Sequence, residues 1–418
     1  MAPMFAPLRE RNYRLWAAAD LVSVAGTWMQ VLGLNWLVLS ATGSAATMGV
    51  VVMLQALPVL LLGGWGGALA DRLPARPALI VFQAVRALLA LALVAEPGRL
   101  WPIYAVALAS GMISSVEGPC LGRFGSALVP PSALGSALAL GSVLSSAGRI
   151  LGMSLGGILV GVTGAASLFA INAATYLVVI AALAVMRTGS MRVLAASPPG
   201  EGGVRAGLRY LAGQPVVLVI LALSFVLGSL GRNYQVTMAA MVAGPLHGGS
   251  ASYGLLSTIF AVGAVAGGLL LAGSGRSTLR VLLASGLTIS LLQLCAGLAP
   301  NVLGFAALIL PIAAGAVIFD TVISTRVQLD TREDMRGRML ATLGVVSSLS
   351  GIVGAPMIGW LCDALGARGA LVLAGVVTSV AAVAGGYALA RLKGRSVSVR
   401  TLVAAMPMIG RRTADQLA

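Results

Sequence analysis

Apolar runs of about twenty residues follow one another along almost the whole chain, and this pattern limits the fold more than any other feature. A helix needs roughly 20 apolar residues to cross a hydrocarbon core about 30 Å thick. Of the 418 residues, 58% are apolar and 9% are charged, far from the composition of a soluble domain. We count twelve such runs between Tyr13 and Arg391. The sequence therefore predicts an all-α protein with twelve transmembrane helices in a lipid bilayer.

The basic residues give a net charge of +15, which in a soluble protein would suggest binding to nucleic acid. Here the arginines stand in short clusters between apolar runs, on alternate sides, as the positive-inside rule describes. The clusters contain Arg72 and Arg76, Arg123, residues 187–209, Arg276 and Arg280, residues 326–338, and the tail from Arg391. We predict a monomeric protein of a bacterial inner membrane with both termini in the cytoplasm and no nucleic-acid partner.

Motifs of the common enzyme classes are not recognisable in the sequence. It has no phosphate-binding glycine loop, no HExxH motif and no catalytic triad, and its one histidine, His247, falls in a predicted external loop. We therefore expect no enzymatic activity, no bound metal and no cofactor. Ion gradients are the remaining source of energy for an active process.

One long polar interruption, from Arg187 to Tyr210, divides the apolar runs into two groups of six. The predicted organisation is an N-terminal six-helix bundle (1–187), a cytoplasmic linker (188–214), a C-terminal six-helix bundle (215–392) and a basic cytoplasmic tail (393–418).

The two groups are related as an internal repeat. A shift of 202 residues lays the segment Gly135–Gly157 on Gly337–Gly359, and one further residue lays Glu117 on Asp320. The fourth and tenth runs thus carry an acid at equivalent depths. Two parallel six-helix repeats occur in secondary transporters, whose substrate site lies near the membrane midplane between them.

The stretch "GALADRLPAR", Gly67 to Arg76, resembles the signature between the second and third helices of the major facilitator superfamily. Pro74 and Ala75 depart from that signature. Leu121 departs from the pattern of the exporter branch that is named next. The chain resembles the branch of the enterobactin exporter and drug–proton antiporters in the segments Leu21–Gln30, Asn35–Gly49, Gly148–Val160, Phe169–Leu177, Asn233–Val242 and Asp334–Ala341. The resemblance implies the major facilitator fold and rocking of its two halves.

The resemblance also implies a gate at the cytoplasmic rim, where Asp71 is held by the N-terminus of the eleventh helix and its arginines. The residues expected to take part are Gly67, Asp71, Arg72, Arg76, Arg336 and Arg338. The glycines Gly63, Gly64, Gly66 and Gly67 would let the second helix approach a neighbour closely. The alternative is that Asp71 is a solvated loop charge beside topogenic arginines.

Charged residues inside the apolar runs are costly, about 2.5 to 3.5 kcal/mol each at mid-bilayer, and therefore indicate function. They are Asp20, Arg86, Glu117, Arg149, Arg232 and Asp320. We expect Glu117, Asp320 and Asp20 to take part in proton coupling, with Arg149 as the partner that Glu117 releases on protonation. The alternatives are structural ion pairs, with Asp320 neutralising Arg326, and simple hydration for Asp20. For Arg86 we expect a structural role.

Polar and aromatic residues near the predicted cavity suggest a substrate site. They are Gln30, Asn35, Trp28 and Trp36 on the first helix, and Arg232, Asn233 and Gln235 on the seventh. They would suit a polar or anionic substrate with an aromatic part. Trp36 could equally anchor the helix at the interface. The sequence favours a proton-coupled exporter of a small organic molecule, such as a drug, siderophore or secondary metabolite. A uniporter or importer, or a non-transporting receptor or scaffold, are the alternatives.

Overall fold

The structure is a computed structural model that describes residues 5–95, 99–187, 211, 213–274, 278–332 and 335–392. Almost all of the predicted linker (188–214) and the whole predicted tail (393–418) lie outside the described residues. Within the described ranges every regular element is a helix.

Six helices precede the linker: α1 (Arg11–Thr42), α2 (Ala45–Arg72), α3 (Ala75–Ala95), α4 (Leu100–Ala127), α5 (Leu134–Thr163) and α6 (Ala165–Val185). Two 3₁₀ turns, Ala6–Arg9 and Pro131–Ala133, lead into α1 and α5. After the linker come α7 (Pro215–Gly231), α8 (Tyr234–Ala243), α9 (Ser250–Ser274), α10 (Leu279–Gly297), α11 (Val302–Leu329) and α12 (Arg336–Leu392).

Eleven segments of the described chain are long and apolar enough to cross a membrane, with α7 and α8 together forming one of them. The last, α12, is two helices that follow each other across Gly366, whose φ of 73° suits glycine. The eleventh and twelfth predicted runs both lie in it. Large apolar side chains such as Trp65, which is 82% exposed, cover the outside of the helices, as expected where helices contact lipid. The all-α, multi-pass prediction is confirmed.

The internal repeat reappears in the backbone. Gly164, between α5 and α6, has a φ of 80°, and Gly366 has a φ of 73°. The two positions are 202 residues apart (366 minus 164), the same shift that aligns the two halves of the sequence. Equivalent helix breaks therefore use the same residue type for the same backbone conformation.

The chain divides into two compact units. The first comprises Met1–Pro199, Gln235–Ala261 and Ala355–Ala364, so that α1 to α6 pack with α8, the first half of α9 and a short segment of α12. The second comprises Gly200–Tyr234, Val262–Gly354 and Leu365–Ala418. The division at Tyr234 falls where the seventh predicted helix breaks into α7 and α8.

Glycines set the closest helix contacts in the first unit. A Cβ on Gly152 of α5 would collide with the Ala25 carbonyl of α1, and one on Gly66 of α2 would collide with the Ser115 carbonyl of α4. Small residues serve this purpose at membrane helix interfaces. The predicted close approach is confirmed at Gly66. It is wrong for Gly63, Gly64 and Gly67, because a Cβ there would meet no described atom within 4 Å.

Candidate functional site

Glu117 lies inside the first unit, on α4, with only 6% of its side chain exposed. Arg86 Nε donates to its carboxylate at 2.7 Å and Gln83 Nε2 donates at 2.9 Å. Gln83 and Arg86 are three residues apart on α3, so both project from the same face of that helix. Glu117 is therefore a buried carboxylate with one cationic and one neutral donor.

The Glu117 site borders residues of α6 and α1. Arg86 lies beside Tyr176 and interacts electrostatically with its hydroxyl. That hydroxyl also accepts from Asn172 Nδ2 at 3.1 Å, and the same amide donates to Gln30 Oε1 at 2.6 Å. We call the chain of Glu117, Arg86, Tyr176, Asn172 and Gln30 the acid network. It connects a predicted proton site on α4 to a predicted substrate residue on α1.

Tyr176 and Asn172 were missed by reasoning from the sequence. Both lie in the stretch Phe169–Leu177, which stood out only for its resemblance to the exporter branch. Their spacing of four residues, which puts two polar groups on one face of an apolar helix, was the available signal. Gln83, which is only 6% exposed, was also missed, although its spacing from another polar residue on α3 offered the same kind of signal.

Arg149 is not the partner of Glu117, and this part of the prediction is wrong. Its guanidinium lies 5.8 Å from the ring centre of Trp28, and its buried Nε has no hydrogen-bond acceptor among the described residues. The glycine contacts of α5 hold that helix against α1, beside Trp28. Because α3 packs on α4, Arg86 reaches Glu117 instead. Asp20, on α1, is half-buried and makes no hydrogen bond or salt bridge with the described residues.

Asp320, in the second unit, has a different environment. It forms an ion pair with Arg232, at the break between α7 and α8, and 45% of its side chain is exposed. Arg326 pairs instead with Asp330, four residues on, at 2.5 Å. The alternative that Asp320 neutralises Arg326 is therefore wrong, and Arg232, predicted as a substrate donor, pairs with an acid.

The other predicted substrate residues take several roles. Asn233 donates to the Ser229 carbonyl at 2.9 Å, which caps the end of α7 in the second unit. In the first unit, Asn35 Nδ2 donates to Gln235 Oε1 at 3.2 Å. Trp36 stacks on Tyr253 with ring centres 5.9 Å apart. The structure thus brings Asn35 and Gln235 together, and it places Trp28 beside Arg149.

The predicted gate residues lie near the C-terminal end of α2 and the start of α12. Asp71 contacts Arg123 at 3.4 Å. Arg76 donates to the carbonyls of Leu183 and Ala184, where it caps α6, and Arg72 is exposed. In the second unit, Arg336 Nε donates to the Gln328 carbonyl and Arg338 Nη1 to Met335 Sδ. The clamp from Asp71 and Gly67 to these two arginines stays a prediction.

Eleven segments of the described chain that are able to span a membrane, with a buried ion pair between α3 and α4, are typical of a multi-pass membrane transporter. The chain belongs to the major facilitator family described as transmembrane secretion effectors, whose model matches residues 2–408. The family and its structural neighbours are transporters and not enzymes. A transporter of this kind carries small molecules.

Two relatives match parts of the chain. An uncharacterized transporter of the major facilitator type, YfiS from Bacillus subtilis (strain 168), is 26% identical over 206 residues, which are 48% of this chain and 49% of YfiS. The staphyloferrin A transporter of Staphylococcus aureus (strain NCTC 8325 / PS 47) is 27% identical over 162 residues, 37% of this chain and 40% of that protein. The matches thus span half or less of these relatives' length.

Solved structures agree in fold. A mutant of the nucleoside transporter NupG superposes with a TM-score of 0.75 at 12% identity, over 90% of this chain and 100% of the NupG chain. A bacterial homologue of the human lysosomal transporter Spinster, inward-facing and unoccupied, gives a TM-score of 0.74 at 14% identity, over 95% and 99% of the two chains. At these identities the likeness establishes the fold alone.

Proposed function

We propose that this transporter is a proton-coupled exporter of a small organic molecule, such as a drug, siderophore or secondary metabolite. It would work by alternating access in a bacterial inner membrane, with both termini in the cytoplasm, and would belong to the branch of the enterobactin exporter and drug–proton antiporters. The description of the family as secretion effectors and the staphyloferrin A transporter among its relatives support this direction and substrate class.

The observation that carries the proposal is the enclosure of Glu117 by Arg86 and Gln83. Burying an ion pair costs free energy that mutual attraction only partly returns, so such a pair in a membrane helix indicates a function. Protonation of Glu117 removes the charge that holds Arg86. Arg86 lies beside Tyr176, which is hydrogen-bonded through Asn172 to Gln30, so a change in the proton occupancy of α4 would reach the groups on α1.

Asp320 is the second candidate proton carrier. Its exposed carboxylate can exchange protons with water, and its partner Arg232 stands at the break between α7 and α8. Discontinuous helices in transporters supply backbone groups and charges to the transport site. Separation of this pair would free Arg232 to act as the substrate donor that the sequence suggested.

Arg149 and Trp28 favour an anionic substrate with a flat aromatic part. Arg149 is half-buried and has no carboxylate partner among the described residues, which is costly for a cation, and an anionic group of the substrate would lower that cost. The indole face of Trp28 beside the guanidinium offers a surface for stacking. Arg149 would then act in substrate binding, beside Gln30 and Asn35, and its coupling to protons would be indirect.

A comparison of metabolite pools tests the proposal. Cells that lack the protein, and cells that express it, are analysed by mass spectrometry inside and outside, with and without a protonophore. We expect at least one compound to accumulate inside the cells that lack the protein and to leave expressing cells only while the proton gradient is intact. Release that is unaffected by the protonophore would indicate a uniporter. Uptake of the compound would indicate an importer, and unchanged pools would indicate a receptor or scaffold.

A further inference from the structure

Asp363 lies at the point where the first half of α12 meets the beginning of α2, both within the first compact unit. Its carboxylate accepts three hydrogen bonds: from Ser44 Oγ at 2.7 Å, from the Ala45 amide at 2.8 Å and from the Ala46 amide at 3.1 Å. The next free amide, of Thr47, donates to Ser44 Oγ at 3.2 Å. A carboxylate 319 residues away in sequence from Ser44 thus caps α2.

The backbones are also in direct contact at this end. A Cβ on Gly359 would collide with the Ala45 carbonyl, and a Cβ on Gly49 would collide with the Ala355 carbonyl. Two glycines, one from each helix, therefore let the helices approach closely enough for the carboxylate to reach the amides. The cap and the close contact depend on each other.

Free amides and the helix dipole at an N-terminus favour a negative charge. A helix normally meets this need with a residue of its own, such as Ser44 here. Asp363 instead belongs to the other repeat of the chain. Because Asp363 is exposed, water can replace these bonds when the two helices separate. The contact between Asp363 and the start of α2 can thus stabilise the arrangement in which the two helices touch and still break when they separate.

The opposite end of α2 carries Asp71, which the family resemblance assigns to the N-terminus of the eleventh helix, the first half of α12. In this structure Asp71 contacts Arg123. Each of these two helices thus carries an acid near its own C-terminal end. Asp71 ends α2, and Asp363 ends the first half of α12, beside the start of α2.

We propose that Asp363 is a positioning residue of the transport cycle, which stabilises the state seen here by capping α2 and is the counterpart of Asp71 in the opposite state. The proposal rests on the alternating access included in the proposed function, but it requires neither proton coupling nor export. The two acids would bind alternately, each releasing when the other engages.

Distances between spin labels test this proposal without a substrate. Labels are attached to cysteines introduced at the exposed positions Ser40 and Ala364, after the native Cys120, Cys295 and Cys362 are replaced. Pulsed electron–electron double resonance on protein in lipid nanodiscs then gives the distances between the two labels and the populations with short and long distances. Asp363→Asn keeps the shape of the side chain, but it removes the charge and leaves one acceptor atom.

We expect Asp363→Asn to raise the ratio of long to short distances by roughly 2- to 30-fold, the range for losing a helix cap. Adding Asp71→Asn should return the ratio towards the short distance. The matched control is Asp330→Asn, which removes a carboxylate paired with Arg326 within one helix and should leave the ratio unchanged.

A ratio for Asp363→Asn equal to that of the control would overturn the proposal, as would a further lengthening when Asp71→Asn is added. If Asp363→Asn does not fold, Ser44→Ala is used in its place, because it removes one of the three donors to Asp363. We then expect a smaller rise in the ratio of long to short distances. These outcomes do not depend on the metabolite comparison, so the proposed direction and coupling can fail while this proposal stands, and the reverse.

Discussion

The two acids that the internal repeat aligns, Glu117 and Asp320, occupy different surroundings. Glu117 has 6% of its side chain exposed and two donors from α3, whereas Asp320 has 45% exposed and pairs with Arg232 at a helix break. Equivalent positions in the two repeats thus do not give the two carboxylates equivalent access to water. The enclosed acid is hydrogen-bonded to a neighbouring helix, and the other acid is partly accessible to solvent.

The partners account for the difference. Arg86 comes from the helix next to α4 and also donates to the Ser114 hydroxyl. Arg232, by contrast, stands at the break between α7 and α8 in the second unit, where it forms the ion pair with Asp320.

Removal of the enclosed carboxylate should have the largest effect. We predict that Glu117→Gln reduces gradient-driven export to background, because an amide keeps the shape but cannot carry a proton. It also leaves Arg86 buried without a counter-ion, at a cost of about 3 to 5 kcal/mol. The measurement is export from intact cells, normalised to the amount of folded protein.

The double variant Glu117→Gln with Arg86→Gln separates coupling from folding. It removes both charges, so thermal stability should recover while gradient-driven export stays at background. Recovery of export in the double variant would mean that Glu117 is a structural partner of Arg86 and not a proton carrier.

Asp320→Asn should have a smaller effect. We predict that it lowers the proton count by about one per substrate without stopping transport, since Glu117 remains. Reconstituted protein with a pH-sensitive dye inside the liposomes gives the count. An unchanged count would leave Glu117 as the only coupled acid and would sharpen the contrast between the two sites.

The smallest effect is expected from Tyr176→Phe, which removes one hydroxyl from the acid network. A hydrogen bond of this kind contributes about 0.5 to 1.5 kcal/mol, so the rate of gradient-driven export should fall by roughly 2- to 10-fold. Export from intact cells, normalised to the amount of folded protein, measures the change. Tyr104→Phe, which changes a tyrosine on α4 outside the network, is the matched control, and equal behaviour of the two variants would argue against the network.

Features that depend on the local sequence were predictable. The apolar runs gave the helices, and the repeat gave equivalent positions for Glu117 and Asp320. The partner of Glu117 was not predictable, because Arg86 lies 31 residues away and only the packing of α3 on α4 brings the two together. Spacing along a single helix carries no information on such contacts.

The break at Arg232 and the cap at Asp363 also escaped prediction. Polar residues within an apolar run suggested a binding site at Arg232 and Asn233, but the same residues end α7 and cap it. Asp363 stands at the end of an apolar run, where an acid is commonly just solvated. Its role depends on the distant start of α2, which no local pattern indicates.

The central claim, that Glu117 gains and loses a proton within the membrane, has a direct test that needs no substrate. Infrared difference spectra of the protein in lipid, recorded between alkaline and acidic buffer, detect the carbonyl stretch of a protonated carboxyl group. We predict a band that grows as the pH falls, is missing in Glu117→Gln and persists in Asp320→Asn. Identical carboxyl bands in the wild type and Glu117→Gln would contradict the account.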